Sequence, residues 1–181
     1  MSAKAVEVVI LCEDLQQEVF VRRFLMEQGR DRWQFRPLIA PVGASSAEQW
    51  VREQLPNQLK AHRTQSSRRR TLLVVATDAD KMTVADRMKS FEAECKRHSV
   101  TFRQEAERIA FAIPRRNIET WCAYLRGEDV DETKEYPKYD SESLCQPQVE
   151  RLDEMCRKQQ LEGTPPASLE FACAEFNRIK D

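Results

Sequence analysis

The sequence predicts an α/β fold with a mostly parallel four-stranded sheet flanked by helices, and three observations predict it. Short apolar runs alternate with amphipathic stretches in a strand–helix order repeated four times. The run Leu72–Ala76 is unbroken and rich in β-branched residues, the composition of a strand buried on both faces. Charged residues follow three of the apolar runs at once, at the carboxyl ends of strands, where ligands collect in open α/β sheets.

The first strand is Ala5–Cys12, apolar enough to be central, and it ends in Glu13 and Asp14. From Leu15 to Glu27, a stripe of Leu15, Val19, Phe20 or Val21, Phe24 and Leu25 makes an amphipathic helix closed by Gly29 at C′. Gln34–Ala40 is a second strand, and Pro37 inside it places it at a sheet edge. Ser46 and Gln49 form a capping-box pattern for a helix to about His62, and Arg63–Arg70 reads as a basic surface loop. After the Leu72–Ala76 strand and Asp78-Ala79-Asp80, Thr83 caps a helix from Val84 to about His98. Ile109–Ile113 is a fourth strand, ending at Pro114, and Asn117–Leu125 a short helix. The acidic stretch from Gly127 to Asp140 is a surface loop or a partly mobile one. Helices then run from Ser141 or Val149 to Leu161, and over Pro166–Ile179 with Pro166 in the first turn. This divides the chain into an α/β domain over residues 1–126 and a loop with a helical extension over 127–181, packed on that domain.

Composition bounds the function. With 29 basic and 30 acidic residues and a net charge of −1, only local patches can bind a polyanion. No apolar run approaches the roughly 20 residues that span a bilayer, and MSAKAVEVVIL has no cleavage site of a signal peptide. The 6 cysteines are scattered, without a C-x-x-C pair, and read as reduced thiols of a cytoplasmic protein. His62 and His98 lie in polar surroundings and read as solvent-facing.

Three constellations at strand ends carry the chemistry. Asp78 and Asp80 on extended chain point the same way, and paired carboxylates suit Mg²⁺, whose remaining positions go to water and phosphate oxygens. Glu13 follows the first strand and Arg115-Arg116 the fourth, so a parallel sheet brings all of them to one edge. Converging carboxylates repel, which calls for a cation among them or raised pKa values. Arginines there suit phosphate, because the guanidinium fork matches its oxygens. Each element also has a plainer role: Glu13 as a helix cap, the Asp pair as a polar turn, an arginine as partner to Glu119.

Glu after the first strand (VVILCEDLQQEVFVRRFL) and Asp-x-Asp after the third (LLVVATDAD) resemble the Toprim domain of topoisomerases, primases, small maturation nucleases and overcoming-lysogenization-defect nucleases. A third piece, IPRRNIETW, is similar to a segment of small stand-alone bacterial Toprim proteins. The resemblance covers about residues 5–125. It implies Mg²⁺- or Mn²⁺-dependent phosphodiester hydrolysis on DNA or RNA. Asp78, Asp80 and Glu13 would hold the metal, with Glu13 as general acid/base. Arg115 or Arg116 would meet phosphate and Glu119 would orient one of them or join the site. The chain departs from the family pattern in three places: Asp14 replaces the usual Gly, Gln17 stands where the nuclease branch has a second acid, and Lys81-Met82-Thr83 lacks a Gly. One metal or two remain open on these residues. Asp14 is a candidate supporting acid, and Arg22, Arg23 and Arg68–Arg70 are candidate contacts to a nucleic-acid backbone. No tyrosine is placed as a topoisomerase nucleophile.

Other classes fit less well. A receiver domain needs a lysine ending a later strand, where Pro114-Arg115-Arg116 stands, and a dehalogenase-type phosphatase carries Asp-x-Asp on its first strand. The resemblance also admits a non-enzymatic or partner-activated subunit of a phage-defence complex. Its ATPase would be another protein, because this chain has no P-loop. A homo-oligomer is compatible with all of these.

Overall fold

The computed structural model describes residues 6–180. Four strands, β1 (Glu7–Cys12), β2 (Phe35–Ile39), β3 (Thr71–Ala76) and β4 (Ile109–Ala112), form one sheet in the order β2-β1-β3-β4, every pair parallel. The connections are helical: α1 (Leu15–Glu27), α2 (Ala47–Ser66) and α3 (Val84–Arg97). After β4 come α4 (Glu119–Leu125), α5 (Gln146–Arg157) and α6 (Ala167–Arg178). The α/β architecture with a Rossmann-like parallel sheet is therefore the fold of the chain.

Period-two alternation builds two cores. Val8, Ile10, Cys12, Leu72, Val74 and Ala76 pack on one face with residues of α1, α4, α5 and α6. Val9, Leu11, Leu73, Val75 and Phe111 pack on the other with α2 and α3. A strand with helices on both faces has no polar side, which is why β3 is apolar along its length and buried at every residue. Pro37 does lie on the edge strand β2. The other edge, β4, is covered by α6: Glu175 accepts the Phe111 amide at 2.9 Å and pairs with Arg103, occupying a backbone donor that would otherwise face out.

Several expectations are corrected. Helix α2 runs to Ser66, taking in the start of the expected basic loop, and Arg63 pairs with Glu107 at 2.6 Å. His62 is buried on the α2 stripe, its Nδ1 3.2 Å from the Thr71 hydroxyl, while His98 is exposed. Cys156 and Cys173 are joined in a disulfide that ties α5 to α6; Cys12, Cys95, Cys122 and Cys145 are free and buried. Pro166 is the N-cap of α6 rather than part of its first turn. Ala5, the expected start of the first strand, lies outside the described residues. Among the described residues no helix is long and apolar enough to cross a membrane.

Candidate functional site

The register sets Cys12 beside Ala76 and Ala76 beside Ala112. The residues that follow β1, β3 and β4 consequently leave the sheet at one edge. Glu13 turns toward β3, where its Oε1 accepts the Asp78 amide at 2.7 Å and the Thr77 hydroxyl. Asp14 caps α1 by accepting the Gln17 amide at 2.9 Å. Gln17 then ties the two strand ends together: its amide oxygen accepts Glu13 N at 3.1 Å and its NH₂ donates to Asp78 Oδ1 at 3.0 Å.

Asp78 and Asp80 converge by a route other than simple alternation. Asp80 adopts φ 58°, a left-handed conformation that Asp tolerates better than most residues. The turn is closed by Met82 N donating to Ala79 O at 3.0 Å. Asp78 is half-buried and Asp80 exposed. Behind the turn, Arg87 is held by Glu48 at 2.5 Å and reaches the Asp80 carboxylate at 3.4 Å.

Asp14, Asp78, Asp80, Arg116, Glu119 and Lys138 line a cleft of about 130 Å³ at this edge. Glu13 does not line it; its carboxylate sits behind, locked to the Thr77–Asp78 backbone and hydroxyl. Arg115 is the clear correction among the expected site residues. The chain leaving β4 through Pro114 sends consecutive side chains apart, so Arg116 enters the acidic cleft and Arg115 walls a separate cavity. Lys138 carried no usable signal, since it is one lysine in an acidic loop. It is brought in by Asn117, which donates to Tyr136 O at 2.6 Å and accepts Tyr136 N at 3.1 Å, pinning the loop to the start of α4.

Burial pushes the Glu13 carboxyl up to about 7, opposed by its two hydrogen bonds and reinforced by the Asp80 and Asp14 charges. Burial likewise raises Asp78 well above the usual carboxylate range, with Glu13, Asp14 and Asp80 adding to it. Glu119 is raised by burial and by Asp14. These carboxyls thus form one mutually repelling group, joined at the cleft by Glu135 and faced there by Arg116 and Lys138. The Arg116 Nε is buried with no hydrogen-bond partner among the described residues.

The donor set suits a hard cation that takes few protein ligands. Asp78 keeps one oxygen that no described residue donates to, and Asp80 stands beside it. Yet no group of three or more His, Cys, Asp or Glu among the described residues is arranged to close a metal shell. Water and phosphate oxygens would have to complete it, as Mg²⁺ commonly requires.

The other candidate contacts are dispersed. Arg22 pairs with Glu18 at 2.7 Å and Arg23 donates to Gln146 at 2.6 Å. Arg68, Arg69 and Arg70 line a depression of about 700 Å³ beside Thr71, at the opposite end of the sheet. No protein-family model, no curated protein and no solved structure matches this chain.

Proposed function

We propose that the acidic cleft hydrolyses phosphodiester bonds in nucleic acid with Mg²⁺ or Mn²⁺, in the manner of a Toprim-like nuclease. The observation that carries this is a single cleft in which Asp14, Asp78, Asp80 and Glu119 meet Arg116 and Lys138, at the ligand-binding edge of a parallel sheet. Asp78 and Asp80 would hold the cation, which when bound polarises the phosphoryl group and activates water. Gln17 fixes the rotamer of Asp78 through its amide. Arg116 lines the cleft and would supply a charged, forked contact to phosphate oxygens. Lys138 adds a point charge whose position depends on the Asn117–Tyr136 lash. Glu13 does not reach the cleft; by accepting the Thr77 hydroxyl and the Asp78 amide it positions the turn that carries Asp78.

A second reading has support of its own. Among the described residues no three metal-ligating side chains are grouped to hold a cation, which leaves room for a subunit that is silent until a partner, such as a separate ATPase, completes the site. A cleavage assay separates the two, using single- and double-stranded DNA and RNA with Mg²⁺, Mn²⁺ or EDTA. Divalent-dependent cleavage that Asp78→Asn and Arg116→Ala each reduce by about 10²-fold or more supports the nuclease. Intact cleavage in both variants refutes the site, and an inactive wild type points to the partner-dependent subunit.

A further inference from the structure

Arg115 faces a second cavity of about 360 Å³, bounded by Thr83 and Val84 at the start of α3, Ala167 at the start of α6, and Phe171. That volume lies within the range of about 300–1,000 Å³ usual for small-ligand sites. The guanidinium makes no hydrogen bond or ion pair with a described residue. Glu132, the cavity's one carboxylate, is occupied by α6: it accepts Ala167 N at 3.1 Å and Ser168 N at 3.0 Å. The cavity therefore offers an uncommitted cation, apolar walls and a half-buried aromatic ring. The two cavities share no lining residue but border the same stretches of chain, since Arg115 and Arg116 are consecutive and Asp80 lies three residues before Thr83.

We propose that this cavity receives the nucleobase next to the phosphate handled in the acidic cleft. The base lies against the Phe171 ring, and Arg115 meets that nucleotide's own phosphate. Stacking on an aromatic side chain is how single-stranded nucleic acid is commonly gripped, and it tolerates any base because each has a π-face. The inference rests on the phosphodiester reading of the neighbouring cleft and adds to it a single-stranded or splayed substrate, since a base inside a duplex cannot enter a cavity.

The test is an amide-shift titration of ¹⁵N-labelled protein in Ca²⁺ with a thymidine trinucleotide and with its abasic counterpart. The expected result is movement of Val84, Ala85, Ser168 and Phe171 with the trinucleotide only. Phe171→Ala and Phe171→Leu, which stays apolar but has no ring, should each weaken binding by roughly fivefold to a hundredfold. Equal binding and equal shifts with the abasic ligand, unchanged affinity in both variants, or silence of these amides would overturn the proposal. Ca²⁺-dependent shifts at Asp78 and Asp80 with silent cavity amides would overturn the base site alone. Base-dependent shifts without any cation binding would instead break the reading of the acidic cleft.

Discussion

Replacing Glu13 by Gln isolates the electrostatic cost of the acidic cluster. The amide oxygen still accepts the Thr77 hydroxyl and the Asp78 amide, so the geometry is kept while the charge is removed. The native carboxyl titrates at about 7 against an ordinary value of 4.5. Between those values the folded state holds more protons than the unfolded chain, so stability falls as pH rises through the window and stays lower above it. At ~1.4 kcal/mol for each tenfold change in proton affinity, this single group makes the wild type about 3 kcal/mol less stable above pH 7 than below pH 4.5. The variant lacks that loss, though Asp78 and Glu119 lower both proteins in the same sense. Urea unfolding in EDTA from pH 4.5 to 8.5 should show two curves that coincide at the acid end. They should diverge to about 3 kcal/mol by pH 8, equivalent to a Tm gap of about 6–12 °C for a domain of this size. Parallel curves, or a variant less stable at pH 8, would refute the claim that a buried, charge-crowded carboxyl lies at the end of β1.

Other outcomes follow from the same contacts. Asn117→Ala removes both hydrogen bonds to Tyr136; it should cost about 1–3 kcal/mol and speed amide exchange over residues 130–139, and unchanged exchange would show the loop is held elsewhere. Reducing Cys156–Cys173, which are 17 residues apart, should cost about 3 kcal/mol and lower Tm by about 6–12 °C. A Tm indifferent to dithiothreitol would mean that α5 and α6 are fastened by packing alone. Arg115→Ala should leave Mn²⁺ affinity unchanged, whereas Arg116→Ala should weaken phosphate binding at the cleft; the reverse result would contradict the divergence of the two side chains.

Much of this fold was legible because it is written in local periodicity. The β3 run could only be a strand buried on both faces, Pro37 marked the edge strand β2, and Thr83 marked the start of α3. Where reading failed, the missing information was tertiary or was overlooked. Val51, Leu55, Leu59 and His62 follow one another at helical spacing and all are buried, so His62 belonged to the α2 stripe despite its polar neighbours. The disulfide depends on α5 lying against α6, which nothing in the spacing of Cys156 and Cys173 specifies. The acids at the ends of β1 and β3 could be gathered from the parallel order alone. The divergence of Arg115 and Arg116, the left-handed turn at Asp80 and the arrival of Lys138 from a loop more than fifty residues later could not. Each is set by a local bend or a long-range lash such as Asn117–Tyr136.

The most direct measurement is a Mn²⁺ titration followed by electron paramagnetic resonance, with wild type beside Asp78→Asn. If Asp78 and Asp80 after β3 form a divalent-cation site, wild type will deplete the free-Mn²⁺ signal saturably, Mg²⁺ will compete, and Asp78→Asn will lose the effect. A wild type that leaves the free signal untouched, or a variant that binds as well, would contradict the assignment.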